Sequence, residues 1–168
     1  MMNKQGLDQQ IVEKLKLKCS KPKLNDWKRV TKLESEQKGE TKIAMVGKYT
    51  ELVDSYKSVN EALIHAGIHN KTNVKIEHID SERFNKGVEN LEADGILIPG
   101  GFGNRGVKGM LNVAKFAREN NIPYFGICLG MQVAVIEFAR NVLKLDADST
   151  EFKKNTQHPV IGLSLIHI

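Results

Sequence analysis

Glycines stand two residues either side of a cysteine in Gly126-Ile127-Cys128-Leu129-Gly130, directly after the apolar run Ile122-Pro123-Tyr124-Phe125. A strand that stops at a small-residue turn, carries Cys at the apex and re-enters a helix is a nucleophile elbow, here in its thiol form G-x-C-x-G. The apex of such a turn is strained, and side chains flanking it would collide with strand and helix, so both flanking positions call for glycine. A helix starting at Leu129 aims its first N–H groups and the positive end of its dipole at the sulfur, which favours the reactive thiolate. The Leu129 N–H is then one donor to an oxyanion. A buried cysteine that merely follows a strand is the alternative these residues leave open.

A second glycine turn, Gly101-Phe102-Gly103-Asn104-Arg105-Gly106, fits G-x-G-x-x-G between a strand and a helix. A dinucleotide site on this motif needs an acidic residue about 20 positions on, at the end of the next strand. That strand ends at Ile127-Cys128, and Glu119 lies earlier, on the preceding helix. The turn fits better as the source of a second oxyanion donor, the Gly101 N–H, since a tetrahedral acyl intermediate requires two. A glycine-rich turn without a ligand is the remaining alternative.

The elements that must carry these turns read as alternating strands and helices. Residues 43–47, 74–79, 95–98 and 122–127 are apolar or alternating strand segments, with helical spacing over residues 55–66, 107–120 and 129–144. Asp54-Ser55 reads as a helix cap and Gly67 as a stop. The pattern predicts an α/β fold with a mostly parallel sheet, helices on both faces, and a site beyond the carboxyl ends of the strands. His158-Pro159-Val160-Ile161 reads as the start of another strand. Ahead of this domain, residues 7–18 and a segment opened by Asn25-Asp26 read as helices, followed by a polar linker.

Composition narrows the functional classes. At 168 residues, 40% hydrophobic and 27% charged, the chain suits one globular domain with a tail. The net charge of +5 is local: residues 1–40 hold 10 Lys/Arg against 6 Asp/Glu, and residues 41–168 hold 15 against 14. The basic segment lacks clustered Arg with aromatic partners, so neither it nor the domain reads as a nucleic-acid binder. No run reaches the roughly 18 apolar residues of a membrane span, and the start lacks the apolar core of a signal peptide. Two distant cysteines, Cys19 and Cys128, give neither a disulfide framework nor a metal site, and fit a cytoplasmic protein.

Several segments together resemble one family. Gly95-Ile-Leu-Ile-Pro-Gly-Gly-Phe-Gly103, Arg105-Gly106, the stretch from Asn121 through Cys128 to Gln132, and Ser149-Thr-Glu151 resemble the class I glutamine amidotransferase domain of the CTP synthases. Val46-Gly47-Lys48-Tyr49 with Asp54-Ser-Tyr-Lys-Ser-Val59 narrows the resemblance to that family within the class. The resemblance divides the chain into 1–40 (end of a synthase domain and interdomain linker), 41–163 (amidotransferase domain, incomplete at its C-terminal side) and 164–168 (an unmatched tail). It implies that Cys128 attacks the side-chain amide of L-glutamine, with Gly101 and Leu129 holding the oxyanion. Glutamine contacts are implied from Gly101, Leu129, Gly130, Met131, Gln132 and Glu151. Glu151 suits the cationic α-amino group. The ammonia released would serve a synthase domain that aminates UTP with ATP and Mg²⁺, in a homotetramer. GTP would act as activator, with Lys48 and Arg105 responding to it. No cofactor or metal is expected within residues 1–168.

The sequence departs from the family at two places. The family's base is a His two residues before a Glu, downstream of the Cys, and none of His65, His69, His78, His158 and His167 begins such a triplet. The expectation is therefore poor turnover by this polypeptide alone. Lys108 stands where the family carries an acid, which bears on the GTP response. Another cysteine hydrolase or amidotransferase of the same fold, and a non-enzymatic binding module, are the competing readings.

Overall fold

Four apolar or alternating segments form one all-parallel sheet in the computed structural model, which describes residues 2–50 and 54–162. The strands are β1 (Glu40–Gly47), β2 (Asn73–Asp80), β3 (Gly95–Ile98) and β4 (Tyr124–Gly126), in the order β2-β1-β3-β4. Ile43 pairs with Ile76 on one side and Gly95 on the other, and Leu97 pairs with Phe125. Side chains alternate across the pleat, so each strand feeds two cores. Ala44, Val46, Ile96 and Ile98 pack with Met110, Val113 and Ala117 of α4 (Val107–Glu119) and with Leu129 and Val133 of α5 (Leu129–Asn141). Met45 and Leu97 face the other way, onto Tyr56 and onto Val59 and Leu63 of α3 (Lys57–Asn70). Helices therefore cover both faces, as the alternation of elements predicts.

Parallel neighbours need crossovers, and here the crossovers diverge. The chain leaves β1 through α3 toward β2, and leaves β3 through α4 toward β4 on the opposite face. The carboxyl ends of the adjacent strands β1 and β3 consequently open a crevice between connections that run apart. Lys48 and the Gly100-Gly101 pair emerge at that point, with Cys128 one strand further on.

One ion pair fixes the two helices of the α4–α5 face. Glu137 of α5 is buried, and its carboxylate accepts from Arg118 Nε at 3.0 Å and Arg118 Nη2 at 2.8 Å, with Asn141 Nδ2 at 3.0 Å on the same group. Arg118 is about one-third exposed, so its charge reaches water and the cost of burial falls on Glu137.

Several boundaries differ from the sequence expectation. Tyr56, not Asp54 or Ser55, occupies the N-cap position of α3, and the helix runs through Gly67 to end at Lys71, whose φ is 58°. Gly67 is there for contact: a Cβ would lie 2.7 Å from the Thr72 carbonyl oxygen and from a Val74 methyl, where α3 turns back onto β2. The first helix, α1 (Leu7–Lys14), stops four residues before the expected end, and Lys16 adopts a φ of 49°. In α2 (Asn25–Ser35), Asn25 lies inside the helix and makes no capping bond. A short strand, β5 (Ala147–Ser149), was not anticipated. It pairs in parallel with β6 (His158–Ile161) as a separate two-stranded sheet, so the expected strand at His158 forms but does not join the main sheet. The tail at 164–168 lies outside the described residues. No described helix is long and apolar enough to cross a membrane.

The ion pair predicts an asymmetry. Arg118→Ala strands a buried carboxylate, whereas Glu137→Gln leaves a cation that still reaches solvent, so Arg118→Ala should lower Tm by several degrees more in thermal unfolding. Equal losses would mean that Glu137 stabilises by packing alone.

Candidate active site

The apex of the elbow carries its strain at Cys128. Cys128 has φ 52° and ψ −106° at the N-cap of α5, a conformation that L side chains rarely adopt, and its side chain is exposed. The strand that delivers it is tied to β3, with the Ile127 N–H donating to the Ile98 carbonyl at 2.9 Å. The turn closes because both motif glycines lack a side chain. A Cβ on Gly126 would sit 2.5 Å from the Met131 nitrogen, and one on Gly130 would overlap the Ile98 carbonyl oxygen. The first turn of α5 thus rests directly on backbone from two strands. Tyr124 reinforces it, its hydroxyl donating to the Gly130 carbonyl at 2.7 Å. Burial, with the charge of Glu137 added, pushes that hydroxyl well above the usual tyrosine range, so it stays a donor.

The glycine turn after β3 comes to the same place. A Cβ built on Gly100 would meet the Cys128 Cβ at 3.6 Å, and one on Gly101 would meet a Leu129 methyl at 3.3 Å. Gly101 and Leu129, expected as the two oxyanion donors, are therefore neighbours beside the thiol. Among the described residues neither N–H is bonded to a protein acceptor. The Gly130 N–H, by contrast, turns back to the Ile127 carbonyl at 3.0 Å.

Charged groups gather around this turn. Lys48 is 4% exposed, and its ammonium donates to the carbonyls of Phe102, at 2.9 Å, and Gly103. Burial, helped by nearby Arg105 and opposed by Glu151, pushes the Lys48 ammonium below its usual range. Glu151 reaches in from the segment after β5, where its Oε1 accepts from the Gly103 N–H at 3.1 Å. Arg140 of α5 anchors that segment through the Ala147 carbonyl at 2.6 Å and Asp148 at 2.7 Å. Arg105 is half exposed; it donates to the Lys48 carbonyl, pairs with Glu82 at 3.3 Å, and lies over the Tyr49 ring at 6.0 Å.

The family model described as "Glutamine amidotransferase class-I" matches residues 51–162, two thirds of the chain. The chain belongs to the class I glutamine amidotransferases. Among solved structures, the glutaminase domain of Trypanosoma brucei CTPS with bound acivicin is similar, at 45% identity and a TM-score of 0.67. The match covers 75% of this chain and 51% of that one, so the chain spans about half the length of its structural neighbour.

In this amidotransferase, the residues that sequence singled out divide by distance. Cys128, Gly101, Leu129, Lys48 and Glu151 converge on one crevice. Gly130 is buried under the elbow, Met131 is half exposed, and Gln132 sits one turn into α5 with its N–H on the Cys128 carbonyl at 3.1 Å. The histidines lie elsewhere. His65 and His69 are on α3, and His78 is on β2, separated from β4 by two strands and stacked on Tyr56; His158 is on β6. His167 is outside the described residues. Lys108 is exposed in the first turn of α4, where a cation opposes the helix dipole.

Two positions escaped sequence reading. Tyr124 looked like an ordinary strand residue, and Tyr56 was one letter in a family motif. The Tyr56 hydroxyl accepts from the N–H groups of Lys48 and Tyr49, both at 3.1 Å, and so fixes the exit of β1. An aromatic hydroxyl next to an apolar core cluster was the available signal in both cases, since buried Tyr usually finds a partner.

Two outcomes follow from the elbow. Cys128→Gly removes the backbone strain that Cys128→Ala retains, so denaturant unfolding should find the Gly variant more stable than the Ala variant by about 1 kcal/mol. The Tyr124 hydroxyl ionises more readily in the unfolded chain than in the fold, so its stabilisation is complete below about pH 10 and is lost as pH rises beyond it. Tyr124→Phe should flatten that alkaline decline in unfolding free energy; an unchanged slope would remove Tyr124 as its source.

Proposed function

We propose that this chain is the glutaminase part of a CTP synthase, with Cys128 as nucleophile. The juxtaposition of a strained, exposed Cys128 with the free N–H groups of Gly101 and Leu129 carries the reading. The thiolate adds to the side-chain amide carbon of glutamine, and the developing oxyanion lies between those two N–H groups. Collapse expels ammonia and leaves a γ-glutamyl thioester, which water cleaves to glutamate. Glu151 offers its second oxygen to the α-amino group while the first holds the Gly103 N–H. Met131 and Gln132 would line the approach along α5, whereas Gly130, buried with its N–H on Ile127 and its carbonyl on Tyr124, serves the close packing of the elbow.

Expulsion of ammonia needs a proton, and among the described residues no histidine stands in the crevice to deliver it. Absence of a general acid–base typically costs 10²–10⁴-fold, roughly, so acylation by a reactive analogue should outpace steady turnover of glutamine. In the whole enzyme the ammonia would aminate UTP, with ATP and Mg²⁺ in a synthase domain and GTP as activator. Arg105, half exposed above Tyr49, is the better placed of the two residues expected to respond to GTP. The cytoplasm and a homotetramer belong to the same reading.

The test is intact-mass and peptide mapping after exposure to acivicin, with Cys19 as internal control because it is exposed too. Selective, glutamine-protectable labelling of Cys128 is the expected result. Equal labelling of both thiols, unaffected by glutamine, would overturn the proposal. Glutamine hydrolysis should meanwhile run at least about 10²-fold below that of an amidotransferase with a histidine base beside its cysteine.

A further inference from the structure

A glycine-rich turn does not hold its own shape. Gly100, Gly101 and Gly103 place few steric limits on their peptide planes, and Gly103 sits at φ 71°. Yet an oxyanion donor acts only if its N–H is fixed before the charge develops. Something outside the turn must therefore lock it.

The contacts identify the lock. The Phe102 carbonyl and the Gly103 N–H belong to one peptide unit, and both ends of that unit are held. Lys48 Nζ donates to the Phe102 oxygen at 2.9 Å, and Glu151 Oε1 accepts from the Gly103 nitrogen at 3.1 Å. The Lys48 ammonium also takes the next carbonyl, that of Gly103. Its stem runs beneath the turn, with Cδ 3.4 Å and Cε 3.6 Å from where a Gly101 Cβ would stand. The backbone of Lys48 is pinned in turn, through its N–H by the Tyr56 hydroxyl and through its carbonyl by Arg105. A lysine this buried is an unusual use of the residue unless its charge is fully engaged, and here two carbonyl dipoles engage it.

We propose that Lys48 is a positioning residue: its buried ammonium locks the Phe102–Gly103 peptide, and through it holds the Gly101 N–H beside Cys128. The inference rests on the amidotransferase reading for its catalytic consequence, but the lock itself can be tested separately. Lys48→Met keeps the length of the stem and removes the donor.

Hydrogen exchange followed by mass spectrometry on the full chain reads the lock directly. Loss of the lock should speed exchange in the segment of residues 99–106 at the Gly103 N–H, the amide there that Glu151 holds, by roughly tenfold or more, with β2 and α5 unchanged. Unaltered exchange in that segment would overturn the proposal whatever the chain's activity. The catalytic consequence is read on Cys128. Acivicin labelling should slow by about tenfold or more in Lys48→Met, while alkylation by iodoacetamide, which needs no oxyanion donor, stays within about twofold. Equal slowing of both reagents would reduce Lys48 to a structural residue. Failure of acivicin to label the unmodified chain would strike the glutaminase reading instead, with the exchange result still deciding whether Lys48 holds the turn.

Discussion

Backbone-on-backbone contact beneath Cys128 is the constraint on which the site depends. The first turn of α5 presses against the end of β3 with no side chain between them at Gly130, and against its own strand at Gly126. That closeness forces the apex into φ 52° and leaves the thiol standing clear of the helix. It also brings the ends of β3 and β4 near enough for Gly100 to touch Cys128. Neither the strain nor the approach of Gly100 to Cys128 would survive a methyl group at either glycine.

Around that contact the two faces of the sheet do different work. The α4–α5 face holds the larger cluster, cross-tied by Arg118 and Glu137, and sets the direction of α5. The α3 face is smaller, and its Tyr56 reaches over the end of β1 to fix Lys48. The crevice is thus bordered by one rigid turn, the elbow, and one compliant turn of glycines. Charge distribution follows the same division: Lys48, Arg105 and Glu151 all attach to the compliant side, where backbone order has to be imposed by side chains.

How much of this could be read from sequence depends on the span of each interaction. The elbow was legible because its whole logic lies within five residues, and the sheet because its strands lie in short apolar or alternating segments between helical patterns. Gly67 misled because a glycine near the end of a helical pattern signals a stop equally well whether it ends the helix or admits a strand against it. Strand β5 was hidden: Ala147-Asp148-Ser149 has no strand pattern, and it exists through pairing with β6 and the grip of Arg140. The peptide lock was beyond reach, since Lys48 and Phe102 stand 54 positions apart and meet only after β1 and β3 are side by side.

Among the described residues β4 is bonded on one flank only, over three residues, and Phe125 on it is 63% exposed. Cys128 is therefore delivered by an edge strand that is also the shortest rung of the main sheet. Opening such a strand costs far less than unfolding the domain, because few ladder bonds and little apolar surface are given up. Each opening would also carry away the platform on which α5 begins. Anything that completes the free flank of β4 would act on the thiol without touching it, by lowering the fraction of time the elbow spends out of register with β3.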